Sequence, residues 1–286
     1  MSAPTEWRNP RTLDIDTLDA LDIVRLINDA DQRVPRAVQA VLPKIAAAVE
    51  LAVRAVRSGG RVHYVGAGIG AVDAAELVPT YGMDVFVAHI AGGPAAMLDA
   101  LEGVEDDTAA GAAAVADVGQ DDLVVGIAAS GQTPYVAGAL RAARAAGAAT
   151  ALVSANLDAA LAGLADLHIG VDTGPEVITG STRMKAASAQ KLVLNAFSTA
   201  VMVLLGRTYS NLMVELVPLN AKLRARQVLL LQQATRLDAD TCAAALEQAG
   251  GEVKVAMVSL LGEMPVEQAV VALKKSGGDV RRALAE

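Results

Sequence analysis

Between residues 60 and 172 the chain alternates short, nearly unbroken apolar runs with longer stretches in which apolar residues recur every three or four positions. The short runs are Arg61–Val65, Asp84–Ile90, Asp122–Ile127, Ala149–Ser154 and Leu167–Val171. Continuous apolar runs of this length, bounded by glycine, aspartate and serine, predict strands covered on both faces. Helical spacing fills Ala109–Val118 and Val136–Ala146, and a helix-like run follows Pro94 as far as Leu101. Strand–helix alternation of this kind predicts an α/β fold with a parallel sheet. Ahead of it, Asp22–Asp31 and Val34–Arg57 read as helices. In the second, Val38, Val41, Leu42, Ile45 and Val49 mark one face, with Pro35 in the first turn and Ser58-Gly59-Gly60 at the end.

Residues 1–20 are polar, contain Pro4 and Pro10, and read as an extended arm that could pack on a partner subunit. Beyond the alternating region, Ala186–Leu205 reads as a long apolar helix, interrupted by Gly206 and by Tyr209-Ser210-Asn211. Asn220–Ala234 continues as helix. From Leu237 three short helices are expected, with turns at Gly250-Gly251, Gly262-Glu263-Met264-Pro265 and Gly277-Gly278. This gives three segments: an N-terminal arm with helices over 1–57, a sheet domain over 58–222 and a small helical bundle over 223–286.

Composition narrows the class. Of 286 residues, 53% are apolar and only 2% aromatic, so the core is built of Ala, Val and Leu. The net charge of −8 argues against a nucleic-acid partner, and no basic amphipathic stretch suggests a membrane surface. The single cysteine, Cys242, cannot form an internal disulfide and reads as core. The N-terminus lacks the basic and apolar regions of a signal peptide, and no uninterrupted apolar run reaches the roughly 18 residues of a membrane span. These features fit a cytoplasmic protein.

The candidate chemistry gathers after strands. In open parallel sheets, ligands sit beyond the carboxyl ends of the strands. Gly66-Ala67-Gly68-Ile69-Gly70 follows the first strand, but position 73 is Asp rather than the glycine a dinucleotide fingerprint needs, so NAD is not expected. Ser130-Gly131-Gln132-Thr133 follows the third strand and opens a helix. The densest stretch is Gly174–Asn195: Glu176 follows a Gly-Pro turn, and Ser181, Thr182, Arg183 and Lys185 lie just before a helix. Hydroxyls and free N–H groups at a helix start suit an anion. Ser and Thr are also ordinary helix caps, so the bland alternative is a capped core helix. His63 and His89 lie within strands and read as core or edge residues.

Several stretches together resemble the N-acetylmuramic acid 6-phosphate etherases, members of the sugar isomerase (SIS) fold group to which the glucokinase regulatory protein is more distantly related. They are Thr5-Glu6 with Arg8-Asn9-Pro10, Asp14-Ile15-Asp16, VDAAELVPTYG at 72–82, IAGGP at 90–94, VEDD at 104–107, VVGIAASGQTPYV at 124–136, GPEVITGSTRMK at 174–185, AQKLVLN at 189–195 and NLMVELVPLNAKLRAR at 211–226. The resemblance implies an SIS domain with helices on both faces, a C-terminal bundle similar to a ubiquitin-associated domain, and a homodimer. It implies a lyase acting in amino-sugar catabolism and peptidoglycan recycling. The reaction is elimination of the D-lactyl ether and then addition of water, with no metal or cofactor. The family's two glutamates fall on Glu76 and Glu105. Glu76 is expected to protonate the lactyl oxygen and activate water, and Glu105 to take the C2 proton. Gly68, Ser130, Gly131, Gln132, Thr133, Glu176, Ser181, Thr182 and Lys185 are expected to contact substrate, with Glu176 orienting the sugar.

Two departures bear on specificity. After Gly66-Ala67-Gly68 the family has Thr-Ser-Gly-Arg and further residues, which this chain lacks. Gln132 also stands where the family has arginine. Both remove anion donors, and a phosphate needs several charge-assisted ones. Two other readings therefore stand beside the family reaction: a lyase for an unphosphorylated or differently substituted amino-sugar acid, and a non-catalytic sugar-phosphate sensor that binds a partner protein.

Overall fold

The computed structural model describes residues 3–66, 73–74, 85–97, 101, 103–215, 218 and 221–285. Five parallel strands form one sheet: β1 (Val62–Gly66), β2 (Phe86–Ile90), β3 (Leu123–Ile127), β4 (Ala149–Ser154) and β5 (Leu167–Gly170), in the order β2-β1-β3-β4-β5. Four of them lie within the apolar runs read from the sequence, and β1 runs one residue past its run, to Gly66. The chain steps outward from β1 to β2 and then returns to β3 on the other side of β1. The order therefore reverses between β1 and β3, where Gly66 pairs with Ile127. Such a switch point opens a crevice at the carboxyl ends of the strands.

Alternation along the strands assigns the two faces. Val65, Val124 and Leu152 point to one side and form a core cluster with Val136, Ala139, Leu140 and Ala143 of helix α5 (Pro134–Ala145). Tyr64 points to the other side, toward Phe197 of helix α6 (Lys185–Leu204), with ring centres 6.3 Å apart. Phe86 of β2 completes this group, 5.5 Å from Tyr64 and 6.3 Å from Phe197. The chain has only two phenylalanines, and both stand here. In a core otherwise made of small aliphatics, the aromatic pairs add about 0.5–1.5 kcal/mol each beyond area burial. Helix α6 is long and apolar enough in composition to cross a membrane, but its Leu194 and Phe197 are buried within the protein.

The N-terminal helices are α1 (Ala20–Asp31), α2 (Val34–Gln39) and α3 (Leu42–Arg57). The sequence suggested one helix over 34–57, yet the chain breaks at Ala40-Val41. Pro43 has no N–H to donate to the Gln39 carbonyl, and its ring would clash with that turn. It is tolerated in the first turn of α3 instead. The arm over residues 3–19 packs on its own chain. The Gly180 N–H donates to the Thr5 carbonyl at 3.2 Å, and the Thr12 hydroxyl donates to the Val177 carbonyl at 2.8 Å. After β2, α4 spans Thr108–Ala114 and ends earlier than expected, with turns continuing to Val118.

The chain divides into two compact units after Thr199, within α6. The second contains a feature the sequence reading missed, a small hairpin of β6 (Thr208–Tyr209) and β7 (Leu212–Met213) turned by Ser210 at φ 53°. Then come α7 (Ala221–Thr235), α8 (Ala239–Gln248), α9 (Val253–Leu261), α10 (Val266–Lys275) and α11 (Val280–Ala285). Four short helices follow Leu237, not three, because each of the three glycine turns separates two of them. Leu231, Cys242, Met257, Val258, Leu273 and Val280 fill this unit's core. Within this unit Glu215 pairs with Arg207 and with Lys254 at 2.5 Å.

Candidate active site

Two stretches carry most of the expected contacts, and the fold builds each for a different task. The first leaves β3 through Ala128-Ala129 into Ser130–Thr133 and starts α5 at Pro134. Gly131 sits at φ +71°, and a Cβ there would come 2.4 Å from the Ala159 Cβ, so only glycine fits. The turn is pinned from both sides. Gly131 N–H donates to the Ala128 carbonyl at 3.0 Å, Leu161 N–H to the Gly131 carbonyl at 3.1 Å, and Gln132 N–H to the Ser130 hydroxyl at 3.3 Å. Thr133 is the N-cap of α5, yet its side chain makes no cap hydrogen bond. A pinned turn, two hydroxyls and the positive end of a twelve-residue helix, beside the switch point, suit an anion.

The second stretch, Thr173–Lys185, leads into α6. Here Glu176 is turned inward. The residue is 0% exposed, and both carboxylate oxygens are engaged by backbone. Oε2 accepts the Lys185 N–H at 3.1 Å and Oε1 accepts the Ala186 N–H at 2.9 Å. Glu176 therefore caps α6 from nine residues upstream and meets the positive end of its dipole. Its carboxylate has no exposed surface in the single chain.

Lys185 is likewise held inward, 4% exposed. Its Nζ donates to the Thr173 carbonyl at 2.6 Å and the Pro175 carbonyl at 2.7 Å. Burial lowers its proton affinity, and the carboxylates of Glu176, Asp31 and Asp172 offset part of that. These bonds staple the loop that displays Ser181 and Thr182, both half-buried. The arm straps it from outside, with Asn9 Nδ2 donating to the Pro175 carbonyl at 3.5 Å. Lys185 also lines a cavity of about 610 Å³ between the arm and α1, which Arg11, Arg25, Asp22 and Thr173 share. None of Ser130–Thr133, Ser181 or Thr182 lines that cavity.

Glu105 is exposed in a single 3-10 turn, Val104–Asp106. The turn is anchored on either side. Asp107 caps α4 through the Ala110 N–H at 2.8 Å, and Val104 packs on the α5 core cluster. Gly92, two residues past β2, lies so close that a Cβ there would be 3.2 Å from a Val104 methyl. Glu105 thus stands beyond the carboxyl end of β2, on the same edge of the sheet as the Ser130 turn. Gly68 and Glu76 lie outside the described residues.

The histidines do form a pair. His63 Nδ1 and His89 Nε2 are 2.9 Å apart, and the rings stack at 5.2 Å. The Asp122 carboxylate lies 3.7 Å from the other ring nitrogen of His63. Asp122 precedes β3 and His63 is the second residue of β1, so these two lie toward the amino-terminal edge of the sheet, while His89 pairs with Val65 nearer the carboxyl ends. Among the described residues no three His, Cys, Asp or Glu side chains gather as a metal site would require.

A model of the SIS domain matches residues 99–200, and one of the glucokinase regulatory protein N-terminal SIS domain matches residues 36–144. The phosphoheptose isomerase of Neisseria gonorrhoeae shares the fold. Its TM-score is 0.51 at 18% identity, over 64% of this chain and 99% of that one. Whole-chain relatives are far more similar. N-acetylmuramic acid 6-phosphate etherase of Thermobifida fusca is 58% identical, over 91% of this chain and 87% of its own. That of Cutibacterium acnes is 49% identical, over 99% and 96%. The chain belongs to the N-acetylmuramic acid 6-phosphate etherase family. Membership explains why motifs as far apart as Thr5-Glu6 and Gly174–Lys185 occur together, since the arm and the loop bond directly. The structural work of Glu176 and the arm escaped the sequence reading. A buried carboxylate nine residues before a helix carries no local capping signature.

Proposed function

We propose that the protein cleaves the D-lactyl ether of N-acetylmuramic acid 6-phosphate, giving N-acetylglucosamine 6-phosphate and D-lactate as a carbon–oxygen lyase. The observation that carries this reading is whole-length similarity to etherases, combined with an exposed Glu105 on an anchored turn at the ligand edge of the sheet. Glu105 removes the C2 proton of the open-chain aldehyde, and the electron pair delocalises into the carbonyl. The C2–C3 double bond then forms as the C3–oxygen bond breaks, and Glu76 protonates the departing lactate oxygen. Glu76, now a carboxylate, takes a proton from water as the water oxygen adds to C3. Glu105 returns a proton to C2. Each glutamate ends as it began, so no further reactant is needed.

The Ser130–Thr133 turn and the start of α5 hold the 6-phosphate, with Gly68, Ser181 and Thr182 on the sugar. Lys185 and Glu176 support this arrangement from behind. Gln132 is exposed and offers an amide where the family offers a cation. The protein acts as a cytoplasmic homodimer in amino-sugar catabolism and peptidoglycan recycling. Leu21 and Val24 of α1 remain 57% and 62% exposed in the single chain, as side chains at a subunit contact would be. A single-chain mass in analytical ultracentrifugation would contradict the dimer.

Running the reaction in oxygen-18 water and in deuterium oxide tests the chemistry. Elimination and hydration put solvent oxygen on C3 of the amino sugar and deuterium at C2, with none of the label in lactate oxygen. Oxygen-18 in the lactate hydroxyl instead would mean cleavage on the other side of the ether oxygen and would overturn the scheme.

A further inference from the structure

A chain of polar side chains lies behind the Ser130–Thr133 turn, and the scheme above makes no use of it. It starts at His168 on β5, whose Nε2 is 2.8 Å from the hydroxyl of Ser154, the last residue of β4. The Ser154 hydroxyl donates to the Asn156 carbonyl at 2.8 Å and accepts the Asn156 N–H at 3.4 Å. A hydroxyl has one proton, so the bond between His168 and Ser154 is donated by the ring. Burial first, and then Lys44, lower the proton affinity of His168, and Asp158 offsets part of that. Asn156 ends the chain: its Nδ2 donates to the Ser130 carbonyl at 3.5 Å.

Ser154 and Asn156 are buried. Buried polar side chains are costly unless bonded, and the sheet does not need them, since β4 and β5 are already joined by a parallel ladder. The bonds of the turn give a reason to retain them. The Ala128 carbonyl accepts the Gly131 N–H at 3.0 Å, the Ala129 carbonyl the Ala155 N–H at 2.9 Å and the Gly131 carbonyl the Leu161 N–H at 3.1 Å. The Ser130 carbonyl, among them, is held by a side chain instead. That bond turns its oxygen toward a buried group. A carbonyl oxygen released toward an anion would repel it, and the Ser130 hydroxyl would move as well. The chain is packed as tightly as it is bonded. A Cβ on Gly170 would lie 2.8 Å from His168 Cε1 and 2.9 Å from the Asn156 carbonyl oxygen. A bonded buried network of this kind selects one geometry.

We infer that Asn156 is a positioning residue for phosphate binding: held through Ser154 and His168, its carboxamide fixes the Ser130 carbonyl inward, so that the Ser130 hydroxyl and the start of α5 are set for the anion. The inference rests on the reading of the Ser130–Thr133 turn as the seat of the 6-phosphate. Gln132 puts an amide where the family has a cation, so more of the affinity falls to neutral donors. Fixing those donors in advance lowers the cost of binding.

The test uses the full chain, with N-acetylmuramic acid 6-phosphate as substrate and inorganic phosphate as a competing anion. Three variants are compared with wild type: Asn156→Ala, Ser154→Ala and Ser130→Ala. Asn156→Ala should raise KM for the substrate and the inhibition constant of inorganic phosphate together, each roughly 5- to 30-fold, as expected when a buried acceptor loses its donor. Its kcat should stay close to wild type. Ser154→Ala should shift both constants the same way by less, and it carries the test should Asn156→Ala fail to fold. Lower stability in Asn156→Ala and Ser154→Ala with both constants at wild-type values would mean that the chain serves the fold alone, and would overturn the inference. Ser130→Ala separates the inference from the reading beneath it. Unchanged phosphate inhibition in Ser130→Ala would put the seat elsewhere and remove that reading. Weakened inhibition there, beside an unaffected Asn156→Ala, would overturn the positioning role alone.

Discussion

The Glu176 carboxylate takes the Ala186 N–H at 2.9 Å and, with its other oxygen, the Lys185 N–H, so one buried acid fixes the start of α6 and the loop in front of it. Glu176→Ala leaves two N–H groups buried without acceptors and should cost about 2–4 kcal/mol, from two unmet donors and a lost cap. Glu176→Gln, which keeps one acceptor, should cost less. Denaturant unfolding measures both. A variant as stable as wild type, with only KM raised, would instead mean that the acid faces substrate.

Gly131→Ala probes the anion turn. A methyl 2.4 Å from the Ala159 Cβ, at φ +71°, cannot be accommodated without moving the turn. Strain there should cost about 1–3 kcal/mol and raise KM for the phosphorylated sugar more than it lowers kcat. Saturation kinetics and thermal unfolding read the two effects separately.

The histidine pair makes stability depend on pH. Burial, then the neighbouring His63, then Arg61 lower His89 from its ordinary 6.5 to about 4. Between those values the unfolded chain holds a proton there that the folded chain does not. Stability from His89 is therefore fully present above pH 6.5 and is lost as pH falls toward 4. Unfolding free energies at neutral pH and near the lower value should diverge less in His89→Gln than in wild type.

Glu105→Gln should fold as wild type, since the side chain is exposed on its turn. It should lose roughly 10²–10⁴-fold in lactate release, the usual worth of acid–base catalysis. Solvent deuterium exchange at C2 should fall in parallel. Unimpaired exchange would assign the base elsewhere.

The strands were plain in the sequence because a strand covered on both faces has to be apolar throughout, as Leu123–Ile127 is. The Ser130 turn was plain because Gly131 punctuates a strand-to-helix step. What escaped notice was either subtle or long-range. Pro43 signals the break before α3, but the apolar stripe through Val38 and Ile45 continues across it and reads as one helix. The Thr208–Met213 hairpin has two-residue strands, too short for any periodicity. Glu176 read as a substrate contact because hydroxyls and cations crowd the same stretch, while its spacing to Ala186 resembles no local capping motif. Only the folded loop brings its carboxylate onto the helix end. The Ser198–Asp73 bond spans 125 residues and could not be read from order along the chain.

D-lactate release by the purified protein, compared between N-acetylmuramic acid with and without its 6-phosphate, tests whether the phosphate is required. Release from the phosphorylated sugar and little from the free one is expected if, as proposed, Ser130, Thr133 and the start of α5 hold the phosphate. Equal release from both, or from neither, would contradict that proposal.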